Sequence, residues 1–103
     1  MLEIIRATTP TIMLRPSFEV DFETMNLYFT LKQGQTIVEK HNEQMEYEEG
    51  ILKIWLSQRD TIVFRPGPAT IMLNITTDDG DERAGTYEED VKILDNHIGR
   101  ILT

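Results

Sequence analysis

The stretch Ala69-Thr70-Ile71-Met72-Leu73-Asn74-Ile75-Thr76-Thr77 constrains the fold more than any other part of the chain. Ala69, Ile71, Leu73 and Ile75 fall at every second position, with Thr70, Met72, Asn74 and Thr76 between them. Successive side chains of a strand point to opposite faces, whereas a helix gathers positions three and four apart. The segment therefore buries its aliphatic side only as a strand whose sheet is covered on one face. A sheet with one apolar face needs a second layer to cover it.

The same period recurs along the chain. Met25, Leu27, Phe29 and Leu31 alternate with Asn26, Tyr28, Thr30 and Lys32. Gln33-Gly34-Gln35 then supplies a turn, and Thr36 to Lys40 reads as the return strand of a hairpin. Gln44 to Tyr47, the turn Glu48-Glu49-Gly50, and Ile51 to Leu56 form a second hairpin. In its second arm Leu52, Ile54 and Leu56 share one face, and Ile51, Lys53 and Trp55 the other. Thr11 to Leu14 is a further strand, bounded by Pro10 and Pro16 as suits an edge. Asp78-Asp79-Gly80-Asp81 is a hairpin turn, and its partner strand runs from about Arg83 to Ile93. Ser57, with Asp60 three residues on, caps one short helical turn that carries the chain from one sheet to the other. Phe64 then returns to the core before Arg65-Pro66-Gly67-Pro68.

About seven short antiparallel strands with regular turns predict an all-β, immunoglobulin-like β-sandwich, a single domain over residues 1–103. At this length ~65% of the unfolded chain's surface is buried on folding, enough for one core but not for a cleft between lobes. There is no cysteine, which excludes disulfides and thiolate metal sites and favours folding in a reducing cytoplasm. The start Met1-Leu2-Glu3-Ile4-Ile5-Arg6 is not a secretory signal, and no run reaches membrane-spanning length. The formal charge of −8 opposes binding to phosphate backbones. Neither nucleic acid nor membrane is expected as a partner.

Catalytic chemistry finds little footing. Ser17 and Ser57 are the only serines, and neither lies in a Gly-x-Ser-x-Gly elbow. His41 and His97 stand alone. The acidic run Asp78-Asp79-Gly80-Asp81-Glu82 is the one constellation to weigh for calcium, and a turn explains it without an ion. Strand alternation splits Glu88-Glu89-Asp90 over two faces. The expectation is no catalytic residue, no metal and no cofactor. Trp55 and Tyr28 each lie opposite the apolar ladder of their own strand, as a partner-contacting aromatic patch would. Leu2, Ile4 and Ile5 form an apolar leader, expected to pack within the domain as an added edge strand. Ile98, Ile101 and Leu102 form an apolar tail, expected to dock on another subunit by strand addition.

The opening Arg6-Ala7-Thr8-Thr9-Pro10-Thr11 resembles the Arg-Gly-Thr-Thr-Pro-Thr opening of small Ig-like proteins encoded among the tail and baseplate genes of phages and prophages of Gram-positive bacteria. The likeness continues through the Tyr-Phe-Thr-Leu strand and polar turn at Tyr28 to Gly34. It takes in Leu56, Gln58, Thr61 and Phe64, the Thr-Thr-Asp-Asp-Gly hairpin at Thr76 to Gly80, and the short tail Gly99-Arg100-Ile101-Leu102. Ala7 stands where that opening has glycine, and the leader Met1 to Ile5 is more apolar than the usual start. The resemblance carries over no catalytic residue. It implies a non-enzymatic phage structural or accessory protein of the tail or baseplate region, acting by protein–protein binding. Its partners would be virion or assembly proteins or a homo-oligomer, and its place the virion or the host cytoplasm. The alternative is a soluble acidic phage protein that binds and inhibits a host protein. Tyr28, Trp55, Ile98, Ile101 and Leu102 are the expected partner-binding residues.

Overall fold

The computed structural model describes residues 2–77, 83–98 and 100–102, without the side chains of residues 77 and 83–86. It contains strands β1 (Leu2–Ile5), β2 (Thr11–Leu14), β3 (Met25–Gln33), β4 (Thr36–Lys40), β5 (Met45–Glu48), β6 (Ile51–Trp55), β7 (Gly67–Thr77) and β8 (Arg83–Leu94). A single 3-10 turn (Asn42–Gln44) separates β4 from β5, and helix α1 (Gln58–Ile62) separates β6 from β7. A five-stranded sheet has the order β1-β8-β7-β3-β4, and a three-stranded sheet the order β2-β6-β5. This is immunoglobulin-type connectivity: β2, β6 and β5 take the places of strands B, E and D, and β3, β4, β7 and β8 those of C, C′, F and G, with β1 added at the edge beside β8. All pairings are antiparallel except that of β1 with β8, which is parallel.

The core lies between the two inner faces that the alternation selects. Leu27, Phe29 and Leu31 of β3 and Ile71, Leu73 and Ile75 of β7 come from the large sheet, and Ile12, Leu14, Leu52 and Ile54 from the small one. Leu56 and Phe64 enter from the connections on either side of α1 and are also buried. Among the described residues eight strands appear where about seven are expected, and the added one is the leader. Ile4 is buried there, and Leu2 to Ile5 pair with Val91 to Leu94. The leader thus packs within the domain.

The hairpins follow their turn residues. Glu49 and Gly50 both have positive φ, 53° and 80°, as a two-residue type I′ loop requires. Gly34 has φ 59° at the first central position of the β3–β4 loop. Ser57 caps α1 as its spacing predicts. Its hydroxyl accepts from the Asp60 N–H at 3.1 Å, and its own N–H donates to the Asp60 carboxylate at 2.8 Å.

Two crossings between the sheets are bonded to each other. The chain leaves β1 through Arg6-Ala7-Thr8 for the small sheet, and returns through α1 to Phe64 for the large one. The buried Thr61 hydroxyl accepts from the Thr8 N–H at 3.0 Å and donates to the Thr8 carbonyl at 2.9 Å. The Arg6 guanidinium donates to the carbonyls of Phe64 and Ile62, and the Asn96 amide donates to the Arg6 carbonyl at 2.9 Å. Ala7, 6% exposed, sits between them at φ 58°, the left-handed conformation that glycine adopts without cost.

Candidate binding surface

Trp55 ends β6, between the buried Ile54 and Leu56, so it stands on the outer face of the three-stranded sheet and is 45% exposed. Met13, in β2, alternates with the buried Ile12 and Leu14 and is 59% exposed on the same face. The register sets Thr11 opposite Trp55 and Met13 opposite Lys53. The indole and the thioether are therefore diagonal neighbours, within reach of each other's large side chains. Lys53 lies opposite Glu46, and Ile51 opposite Glu48, on the far strand of the sheet. The result is an exposed apolar pair on a face that also carries Lys53, Glu46, Glu48 and the half-buried Ile51.

Tyr28 does not join this surface. It alternates with the buried Leu27 and Phe29 on β3, which puts it on the outer face of the other sheet, pointing away from Trp55. It is half-buried, with its ring edge-on to His41 at 5.2 Å between centroids. A single Tyr28–Trp55 patch is thus ruled out by topology. Each aromatic sits opposite its own apolar ladder, but the two ladders belong to facing sheets.

The tail folds back toward α1. Gln58 holds the Leu102 main chain at both ends, accepting from its N–H at 2.8 Å and donating to its carbonyl at 3.0 Å. Asn96 accepts from the Ile98 N–H at 3.0 Å. Ile98 and Leu102 keep about half their surface open, and Ile101 is half-buried. The tail therefore lies on its own domain with two apolar side chains facing outward.

Side-chain amides act elsewhere as strand mimics. Asn42 accepts from the Leu27 N–H at 2.7 Å and donates to the Met25 carbonyl at 2.8 Å, extending the sheet past the end of β4. Gln33 donates to the Arg65 carbonyl at 2.8 Å and accepts from its N–H at 2.8 Å, which fixes the turn before β7. Lys40 of β4 meets Asp60 of α1 at 2.8 Å. Burial pushes the Asp60 carboxyl up, but the Lys40 ammonium and the Ser57 N–H and hydroxyl outweigh it and hold it below the usual carboxylate range. Burial, with help from the Glu89 carboxylate that accepts its hydrogen bond at 3.1 Å, pushes the Tyr87 hydroxyl up. Glu88 and Asp90 point to the exposed side of β8, as the alternation predicts.

A shallow concavity of about 180 Å³ between β7 and β8 is lined by Gly67, Pro68, Val91 and Lys92. It offers one ammonium and no nucleophile or paired carboxylates, and it is smaller than the ~300–1,000 Å³ of ordinary ligand pockets. Among the described residues no group of three or more His, Cys, Asp or Glu is placed to hold a metal ion. The acidic turn Asp78 to Glu82 weighed for calcium lies outside the described residues. No helix among the described residues is long and apolar enough to cross a membrane.

No protein-family model matches the chain, and no curated protein matches its sequence. Several solved structures share the fold, among them two that match nearly all of this chain. One is a chain described as a glycoside hydrolase from Bacteroides vulgatus, with TM-score 0.58 and 8% identity over 95% of this chain. This chain spans only 17% of that protein's length. The other is the extracellular domain of the voltage-gated sodium channel beta4 subunit, with TM-score 0.50 and 13% identity over 92% of this chain and 90% of that one. At these identities the likeness is one of fold. The chain is an immunoglobulin-like β-sandwich.

Sequence reasoning found Trp55 but not Met13. The alternation at Thr11 to Leu14 already turned Met13 outward. The pairing of β2 with β6, which sets Met13 beside Trp55, joins segments some forty residues apart and leaves no mark in either.

Proposed function

We propose that this chain is a non-enzymatic protein-binding module, a phage structural or accessory protein of the tail or baseplate region. The observation that carries the binding role is the exposed Met13–Trp55 pair on the outer face of the three-stranded sheet. Tryptophan is the residue most enriched at binding hot spots, and a sheet holds it in place at little entropic cost. No nucleophile–base pair stands beside it. The virion setting rests on the resemblance of the Arg6 to Thr11 opening and the segments after it. The partners are virion or assembly proteins, with a second copy among them, and the place of action is the virion or the host cytoplasm.

The test is mass spectrometry of particles purified from a host that produces the phage. Peptides of this chain co-purifying with tails support the reading. Their absence from particles, with the chain bound instead to a host protein, favours the second reading of a soluble acidic inhibitor. One feature favours that alternative: Glu3, Glu39, Glu88 and Asp90 are all exposed on the strands of the large sheet, against Lys32 and Lys92.

A further inference from the structure

We propose that residues 97–102 form a strap that opens and closes across one end of the sandwich while both sheets stay folded. Leu94 is the last residue of β8, and its carbonyl accepts from the Arg6 N–H at 3.0 Å. Beyond it, among the described residues, every hydrogen bond that ties the chain back to the domain uses a side chain. Asn96 is the hinge. Its amide donates to the Arg6 carbonyl at 2.9 Å and accepts from the Ile98 N–H at 3.0 Å. Gln58 is the clasp, with both ends of its amide on the Leu102 main chain at 2.8 and 3.0 Å.

The two fixed points belong to different sheets. Asn96 closely follows β8 of the large sheet, and Gln58 closely follows β6 of the small one. The strap therefore runs from one sheet to the other at the end of the sandwich where the Arg6–Thr8 and α1 crossings lie. Its clasp is weak, because both Gln58 bonds are exposed and water competes for the same groups. Ile98 and Leu102 keep about half their surface open and Ile101 is half-buried, so little apolar area holds the segment down. The body beneath is paired along β7 and β8 and closes a full core. Opening the strap is thus far cheaper than unfolding the domain.

Opening changes what the segment presents. The closed strap occupies the Leu102 N–H and carbonyl and leaves Ile101 half-covered. The open strap offers Ile98, Ile101 and Leu102 with a free main chain, as strand addition requires. It also releases the Gln58 amide. The device involves neither Met13 nor Trp55, so it stands or falls apart from the binding surface on the small sheet.

Amide hydrogen exchange and NMR relaxation on the full chain test this. The Leu102 amide should be protected about 10–100-fold, as two exposed bonds allow, and the amides of β7 more than about 1,000-fold. Low urea should reduce protection in β7 and leave that of Leu102 unchanged, because opening the strap exposes little surface. This comparison needs no variant. Gln58→Ala should abolish the Leu102 protection and take the order parameters of Ile98 and Leu102 from about 0.8 to below about 0.6, with β7 unaffected. Gln58→Glu gives a second arm. Near neutral pH its carboxylate has no proton to donate to the Leu102 carbonyl, and the strap should be open. The protonated acid has a donor and an acceptor like the amide, so the order parameters should rise as the pH falls to about 4, through the ordinary glutamate value. Asp60, held below its ordinary 3.8, stays largely ionised over that range, and the parent protein measured alongside accounts for the exposed Asp95. A Leu102 amide unprotected in the parent, or one whose protection falls with urea in step with β7, would overturn the proposal. So would a strap still ordered in Gln58→Ala, or one in Gln58→Glu whose order does not change with pH.

Discussion

Thr61→Val isolates the bond between the two crossings. Valine keeps the shape of threonine and replaces the hydroxyl with a methyl group. The Thr61 side chain is fully buried, and its hydroxyl makes both bonds to the Thr8 main chain, at 3.0 and 2.9 Å. The substitution leaves the Thr8 N–H and carbonyl without that partner. An orphaned buried group costs about 1–3 kcal/mol, and the half-buried position of Thr8 places it at the low end. The added methyl returns up to ~0.8 kcal/mol. The expected net loss is about 1–2 kcal/mol, or a fall in melting temperature of roughly 5–10 °C for a domain of this size. Urea unfolding followed by circular dichroism measures it, with Thr61→Ser as the control that keeps the hydroxyl. A Thr61→Val protein as stable as the parent, within about 0.3 kcal/mol, would refute the claim that this bond ties the crossings together.

Leu73→Ala, at a fully buried position in the central strand β7, should cost about 2–5 kcal/mol in the same urea assay. Ala7→Gly should change stability by less than about 1 kcal/mol, because relief of the left-handed backbone is offset by unfolded-chain entropy and a lost methyl contact. Ala7→Val, a branched residue at positive φ, should lose more than about 2 kcal/mol, which paired thermal melts would show. Asp60 has a folded carboxyl that releases its proton more readily than the unfolded one, whose value is near 3.8. Its bond to Lys40 therefore stabilises the protein above that pH and fades as the pH falls below it. Asp60→Asn should lower the melting temperature at neutral pH and flatten its decline on acidification.

What the sequence made legible was local. The alternation in Ala69 to Thr77 and in Met25 to Lys32 selected the inner faces correctly: Leu27, Phe29, Ile71, Leu73 and Ile75 are all buried. The Ser57–Asp60 cap was equally plain, because both partners lie within one turn. Long-range pairings were not. Nothing in Leu2 to Ile5 announces a parallel partner at Val91 to Leu94. Nothing in Tyr28 or Trp55 says which sheet each strand joins, so two aromatics on opposite outer faces read as one patch. The amide clamps of Gln33, Asn42 and Gln58 are long-range as well, since a side-chain amide that mimics a strand has no spacing signature. Ala7 is a case between the two: the resembling opening has glycine at that place, and alanine here takes the positive φ that glycine adopts without cost.

Photo-crosslinking in cells that express this chain tests most directly whether it acts by binding through the outer face of its small sheet. A photoreactive residue is placed at Met13, beside Trp55, and in a second protein at Ile37, which is equally exposed at 55% but lies on the large sheet. Position 13 should give discrete adducts, with a second copy or a virion protein, and position 37 none above background. Adducts from position 37 alone, or none from either, would contradict it.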